Sequence, residues 1–114
     1  MYYYKKCSTC RNAIKFLEAN NIVTTNIDYT EYPLTFDELK DILVKSGTDI
    51  KKMFNTSGLI YRDLGLKDKL AEMSETEKLT LLSEHPMLIK RPLVITDTGV
   101  LFGFKEEEWK SVLL

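Results

Sequence analysis

The chain has 114 residues, of which 44% are hydrophobic and 29% charged, and its formal net charge at pH 7 is −1. This length and composition predict a single globular domain that buries roughly two-thirds of the surface its unfolded chain exposes. The near-neutral charge disfavours direct binding of nucleic acid. No stretch approaches the roughly 18 apolar residues of a membrane span, and the first residues carry no apolar signal-peptide core, so we expect a cytoplasmic protein.

The first part of the chain has the pattern of a strand, a helix and a second strand. The aromatic run at residues 2–6 favours a strand. A helix follows, because apolar residues recur at helical spacing, namely Cys10, Ala13, Ile14 and Leu17. Either Ser8 or Thr9 can cap this helix. Residues 22–29 are rich in β-branched side chains and predict the second strand, which completes a βαβ unit.

Two capping boxes mark helix starts in the middle of the chain. The first lies at residues 35–38, and Gly47 is placed to end its helix in a left-handed conformation. Between about residues 49 and 86 the pattern predicts short helices and no strand, with a turn at 57–58 and a second capping box at 74–77. We interpret this stretch as a helical insert.

The last part of the chain predicts a hairpin and a closing helix. Residues 93–96 and 100–102 are apolar runs on either side of an Asp-Thr-Gly turn, as in an antiparallel hairpin. Residues 105–114 predict the helix. Its predicted apolar face carries Trp109, Val112 and Leu113.

The elements occur in the order βαβα, helical insert, ββα. This order predicts an α/β fold with a thioredoxin-like mixed β-sheet flanked by helices. We expect a single domain over residues 1–114, with the helical insert at about 49–86.

Cys7 and Cys10 form a C-x-x-C motif where the first strand ends and the helix begins. Helix-end N–H groups stabilise a thiolate, and nearby lysines and Arg11 add positive charge, so Cys7 is the predicted attacking thiol. Cys10, inside the first helical turn, is the predicted resolving thiol. Two alternatives stay open. One is a metal site, for which the chain offers few ligands besides these thiols and His85, and the other is a pair of inert buried thiols.

Arg91 and Pro92 precede the predicted hairpin. A residue before proline is extended, so the Arg91 side chain can reach the cysteine loop, where its fork of donors suits an oxyanion or a carboxylate. A surface arginine without a partner is the alternative. A cis bond at Pro92 would leave the backbone open beside the sulfurs, although only about 5% of such bonds are cis. His85, at a helix end, is assigned a structural or capping role.

Four segments together carry a resemblance to a known family. They are Cys-Ser-Thr-Cys-Arg at 7–11, Asn-Thr-Ser-Gly with Tyr-Arg-Asp-Leu-Gly-Leu within 55–66, His-Pro-Met-Leu-Ile-Lys-Arg-Pro at 85–92, and Gly-Phe at 103–104. In this order and spacing the chain resembles the ArsC/Spx family of thioredoxin-fold proteins over essentially its whole length, in the short Spx- and YffB-like branch. The resemblance implies that Pro92 is a cis-proline.

The family's arsenate reductases use a cysteine that matches Cys7 and three arginines that hold the oxyanion. Of these arginines only Arg91 is matched, since Asn55 and Gly103 stand at the other two positions. A hydrogen bond to a charged group contributes roughly 1.5–3 kcal/mol. The loss of two such donors predicts poor arsenate reduction.

The resemblance implies first a thiol–disulfide oxidoreductase, in which Cys7 attacks and Cys10 resolves. Arg91 would orient an anionic group such as a glutathione carboxylate, while Arg11 and Pro92 would contact the substrate. No bound cofactor is expected, and glutathione or another thiol is the expected reductant. The expected substrate is a small thiol or a protein disulfide, and the expected oligomeric state is a monomer.

The alternative is an Spx-like redox-sensing transcriptional regulator that binds the α subunit of RNA polymerase. Gly47 matches a glycine that the resemblance places at that interface. Gly47 also has a structural explanation, because it is predicted to end a helix. The sequence leaves both functions open.

Overall fold

The computed structural model describes residues 1–56 and 58–114. At its centre is a four-stranded mixed sheet of order β2-β1-β3-β4. The strands are β1 (Tyr2–Tyr3), β2 (Ile27–Asp28), β3 (Leu93–Ile95) and β4 (Val100–Phe102). β1 pairs parallel with β2 and antiparallel with β3, and β3 pairs antiparallel with β4. The predicted α/β fold with a mixed sheet and a C-terminal hairpin is therefore confirmed.

Helices flank this sheet. They are α1 (Ser8–Ala19), α2 (Phe36–Ser46), α3 (Leu59–Asp63), α4 (Leu66–Lys69), α5 (Glu75–Glu84) and α6 (Glu106–Leu113), with 3₁₀ turns at Ile50–Met53, Leu70–Glu72 and Pro86–Leu88. The predicted turn at 57–58 includes Ser57, which lies outside the described residues. None of the helices in the described chain is long and apolar enough to cross a membrane.

Both predicted capping boxes are confirmed. The Thr35 side chain accepts a hydrogen bond from the Glu38 N–H while the Glu38 side chain accepts one from the Thr35 N–H, and Ser74 and Glu77 pair in the same way. Gly47 ends α2 with φ 64°, in the predicted left-handed conformation. These helix ends were predicted correctly because each depends on residues within one helical turn.

The first strand is shorter than predicted. The run at residues 2–6 leaves the sheet after β1, because the chain turns and the Cys7 N–H donates to the Tyr4 carbonyl at 3.0 Å. Helix α1 consequently begins at Ser8, with Cys7 as its N-cap residue. The prediction that Ser8 or Thr9 caps the helix is wrong, since both lie inside the helix and Cys7 is its N-cap residue.

The second strand is also shorter than the predicted 22–29. Only β2 forms a regular ladder, and its neighbouring bonds run from the Ile27 N–H to the Met1 carbonyl at 2.9 Å and from the Tyr29 N–H to the Tyr3 carbonyl at 3.2 Å. In this parallel register Tyr2 pairs with Ile27, so residues 22–26 lie before the start of β1. Their β-branched composition therefore has no strand to pair with.

Apolar side chains form two clusters, one on each face of the sheet. Leu93 and Val94 are neighbours in β3, so their side chains point to opposite faces. Leu93 packs in the larger cluster with residues of α2 and α5, and Val94 in the smaller one, where Phe16 of α1 meets Trp109 of α6. Val112 is 43% exposed, contrary to prediction, because α6 packs on the smaller cluster through Trp109 and Leu113.

Candidate active site

The cysteine pair lies at the turn between β1 and α1. Cys7, the N-cap residue, is half-buried, whereas Cys10 lies in the first turn of α1 and is fully buried. Both are free thiols, and their sulfur atoms are not at disulfide distance. A disulfide between them stays a prediction.

Hydrogen bonds favour the thiolate of Cys7. Burial raises the pKa of this thiol, but donors outweigh burial and the pKa lies below its ordinary value. The donors are the backbone N–H of Cys10, the guanidinium of Arg91 and the thiol of Cys10, and the positive charge of Arg91 acts in the same direction. The Cys10 N–H is available because the first N–H groups of a helix have no partner within the helix.

The environment of Cys10 favours the neutral thiol. The pKa of Cys10 is raised to about 12, because burial together with the hydrogen bond and negative charge of Cys7 outweighs the lowering effects of Tyr4 and Arg91. Of the two thiols Cys7 therefore loses its proton more readily and Cys10 keeps its proton. Part of the elevated Cys10 pKa disappears whenever Cys7 loses its negative charge, because that part arises from the thiolate.

Arg91 approaches the pair from the segment before β3. Its Nη1 donates to the Tyr29 hydroxyl at 3.3 Å and to the Met87 carbonyl at 3.4 Å, and its guanidinium carbon lies 5.4 Å from the centre of the Tyr4 ring. Burial lowers the pKa of Arg91, but hydrogen bonds and charge from Tyr29 and Cys7 leave it above the ordinary value. Arg91 is thus a charged, half-buried and partnered side chain rather than a free surface arginine.

The Arg91–Pro92 peptide bond is cis, as the family resemblance implied. The Pro92 side chain is fully buried, and its carbonyl accepts a hydrogen bond from the Gly103 N–H at 2.8 Å.

Tyr29 belongs to the site but was not predicted from the sequence. It directly follows β2, is 1% exposed, and donates its hydroxyl proton to the Ile89 carbonyl at 3.2 Å while accepting from Arg91. Burial raises the pKa of Tyr29 to about 12, so the hydroxyl stays protonated at neutral pH. Its position at the end of the predicted second strand was the available signal.

An open cleft of about 230 Å³ lies beside Arg91. It is lined by Thr9, Asn55, Lys90, Arg91, Phe102, Gly103, Phe104 and Lys105. Asn55 and Gly103 are the two positions at which the resemblance expects arginines, and both lie in this cleft. Its cations are therefore one arginine and two lysines.

Other predicted site residues lie outside this cleft. Arg11 is exposed on α1 and forms no ion pair with the described residues. Gly47 is exposed at the end of α2, and a Cβ built there would have no neighbour within 4 Å. His85 is the C-cap residue of α5, in keeping with a structural role. Within residues 1–56 and 58–114, no group of three or more His, Cys, Asp or Glu side chains could hold a metal ion.

Sequence comparisons identify the relatives of this chain. The model of the ArsC family matches residues 2–112. The uncharacterized protein YusI of Bacillus subtilis (strain 168) is 50% identical over 110 residues, which cover 96% of this chain and 93% of YusI. The global transcriptional regulator Spx 2 of Bacillus anthracis is 30% identical over 113 residues, 99% of this chain and 85% of Spx 2. An arsenate reductase of Yersinia enterocolitica is 30% identical over 99 residues, 87% of this chain and 69% of the reductase.

Structural comparison agrees with the sequence relatives. The crystal structure of a Bacteroides fragilis protein described as related to the ArsC family superposes with a TM-score of 0.91 at 46% identity. The match covers 96% of this chain and 92% of that protein. The predicted thioredoxin-like arrangement of sheet and helices is confirmed by this likeness.

Proposed function

The chain belongs to the ArsC family, and we propose that within this family it is a cytoplasmic thiol–disulfide oxidoreductase. The observation that carries the proposal is the opposite direction of the pKa shifts of the two cysteine thiols. The pKa of Cys7 is lowered by donors that include Arg91, while burial raises that of Cys10 to about 12. A thiolate beside a protonated, buried thiol is the arrangement of an attacking and a resolving cysteine.

In the first step the Cys7 thiolate attacks one sulfur of a substrate disulfide. The Cys7–sulfur bond forms, the substrate S–S bond breaks, and the released thiolate takes a proton from water. Arg91 stabilises the Cys7 thiolate and presents its remaining N–H groups to an anionic group of the substrate, such as a glutathione carboxylate. The half-buried position of Cys7 leaves its sulfur open to this attack.

In the second step Cys10 resolves the mixed disulfide. Because Cys7 is then neutral, the part of the elevated Cys10 pKa that came from the Cys7 thiolate is gone, and Cys10 ionises more readily. Its thiolate attacks the Cys7 sulfur and expels the second substrate thiol, so two electrons have passed from the cysteine pair to the substrate. Two molecules of a thiol reductant such as glutathione return the Cys7–Cys10 disulfide to the dithiol and leave as their own disulfide, so the physiological substrate is a disulfide other than that of the reductant.

Arsenate is a poorer fit to the cleft. Of the three arginine positions only Arg91 carries the cation, since Asn55 and Gly103 occupy the others. Loss of two charged donors, at roughly 1.5–3 kcal/mol each, weakens binding of an oxyanion by at least about a hundredfold. We therefore rank arsenate reduction below disulfide reduction.

The proposed activity is tested by reducing glutathione disulfide and a mixed disulfide with the purified dithiol protein, followed by mass spectrometry. Wild type should form the Cys7–Cys10 disulfide, Cys10→Ser should stop as a stable Cys7 adduct, and Cys7→Ser should form neither. Ser8→Ala, which lies between the two cysteines and leaves both thiols in place, serves as the matched control. Absence of any adduct, together with a Cys7 thiol that titrates near the ordinary value of about 8.5, would refute the proposal.

A second candidate is a redox-sensing regulator that binds the α subunit of RNA polymerase. It is favoured by the 30% identity to Spx 2 and by the open surface at Gly47. In this function oxidation of the same cysteine pair would change the binding of the partner, and the pair would not reduce a substrate. Capture of purified α subunit by the reduced and oxidised protein tests it, with Gly47→Arg as the interface variant and Gly65→Arg, which also replaces a glycine of positive φ, as the control. No capture in either redox state excludes this candidate.

A further inference from the structure

Lysines line a groove that begins at the cleft beside Arg91. This lysine groove is defined by Lys52, Lys90 and Lys105. The cleft adjoins a second cavity of about 230 Å³, because both are lined by Lys90, Phe102 and Lys105. The second cavity reaches Lys52, and a third of about 340 Å³, lined by Lys52 and Lys90, extends the groove further.

The course of the Lys90 side chain is set by Gly103. A Cβ built on Gly103 would lie 3.0 Å from Cε of Lys90, so the lysine stem passes directly over the glycine. The backbone of Lys90 is also held, since its N–H donates to the Met53 carbonyl at 2.7 Å. Lys90 therefore lines both cavities, with its stem lying against Gly103.

The groove carries uncompensated positive charge. No ion pair within residues 1–56 and 58–114 involves Lys52, Lys90 or Lys105. Glu108 lines the second cavity and Asp49 the third, but the cations of the groove outnumber these carboxylates. Unpaired cations along a concave surface raise the local concentration of anions.

We propose that Lys90 and Lys105 bind a carboxylate of the substrate and so select disulfides of acidic cysteinyl peptides. The proposal rests on the oxidoreductase function above and adds the substrate class. Arg91 donates to the Cys7 thiolate, Tyr29 and Met87 and has N–H groups left for one substrate carboxylate, so a second carboxylate needs other cations. Glutathione, with two carboxylates, is the smallest ligand of this class, and an acidic segment of a protein is the other source. The lysines alter neither the bonds made nor the electrons transferred.

Binding is tested separately from turnover with S-methylglutathione, which keeps both carboxylates but has no reactive sulfur. In an NMR titration it should shift the signals of Lys90 and Lys105, and its diethyl ester should bind at least about threefold more weakly. The double variant Lys90→Gln and Lys105→Gln should lose about tenfold in affinity for the acid. Lys40→Gln, exposed on α2 outside the groove, is the matched control and should bind as wild type does.

An acidic hexapeptide containing S-methylcysteine distinguishes the two sources. Tighter binding than that of S-methylglutathione, lost in Lys52→Gln, assigns the groove to protein segments, whereas equal or weaker binding assigns it to glutathione-sized peptides. Equal affinity for acid and ester, or wild-type affinity in the double variant, overturns the groove proposal. Intact binding without any disulfide reduction supports the groove and contradicts the oxidoreductase function instead.

Discussion

The Arg91 guanidinium donates to the Tyr29 hydroxyl over 3.3 Å, and that hydroxyl donates onward to the Ile89 carbonyl over 3.2 Å. Because Tyr29 is 1% exposed, both bonds are made out of water. They join the residue after β2 to the segment before β3. Tyr29 is thus a positioning residue, since it fixes the cation that hydrogen-bonds to Cys7.

Replacement of Tyr29 by phenylalanine should weaken this positioning. Arg91 loses an acceptor and the Ile89 carbonyl a donor, so the free energy of unfolding should fall by about 1–3 kcal/mol. The pKa of Cys7 should rise, and alkylation of Cys7 by iodoacetamide at pH 7 should slow about twofold or more. The pH profile of alkylation measures this effect.

Tyr32→Phe is the control for this variant, because Tyr32 is 70% exposed on the surface. It should retain the wild-type alkylation profile and stability. A Tyr29→Phe protein that loses stability but keeps the wild-type pH profile would show that Tyr29 has only a structural role.

Arg91→Met should raise the pKa of Cys7, because a hydrogen bond and a positive charge that both lower it are removed. Alkylation of Cys7 at pH 7 should fall about tenfold, consistent with the usual strength of a hydrogen bond to a charged group. Arg91→Lys keeps the charge without the fork of donors and should recover part of the rate. Arg62→Met, exposed on α3, is the control. Equal rates for wild type and Arg91→Met would contradict this role.

Thr35→Ala should destabilise the protein by about 1 kcal/mol, because the first turn of α2 loses the cap seen at the Glu38 N–H. Urea unfolding monitored by circular dichroism measures the change. Thr76→Ala, exposed in the first turn of α5 and not a capping residue, should change stability by less than about 0.5 kcal/mol. Equal losses in the two variants would rule out the capping explanation.

Features that depend on neighbouring residues were predictable from the sequence. The capping boxes at Thr35 and Ser74, the left-handed end at Gly47 and the hairpin of β3 and β4 are specified within a few residues, and all appear in the structure. The C-x-x-C position at the start of α1 belongs to the same group. For these elements local hydrogen bonding and packing act in the same direction.

Features that depend on distant partners were not predictable. β2 is short because its parallel partner β1 spans only Tyr2–Tyr3, which the composition of residues 22–29 does not reveal. Tyr29 enters the site through a contact with Arg91, 62 residues further along the chain. The Lys90 stem lies against Gly103 because the hairpin brings these two residues together. Each depends on tertiary packing, which overrides local propensity.

The raised pKa values of Cys10 and Tyr29 predict a loss of stability at alkaline pH. Burial raises each to about 12, whereas the unfolded chain releases these protons near pH 8.5 and 10 respectively. Above pH 9 the native state therefore holds more protons than the unfolded state, and the free energy of unfolding falls as pH rises towards 12. Cys7 adds no slope there, since its lowered pKa leaves it ionised in both states.

Urea unfolding at pH 8, 9, 10 and 11, with a thiol reductant present, measures this decline. Cys10→Ala removes one of the two titrating groups, so its stability should fall less steeply than wild type between pH 9 and 11, even if it starts lower. Cys7→Ala serves as the control for loss of a thiol, although it also lowers the Cys10 pKa by removing the thiolate. Its slope should therefore lie between those of wild type and Cys10→Ala. Parallel curves for all three proteins would mean that Cys10 is not held neutral by the fold.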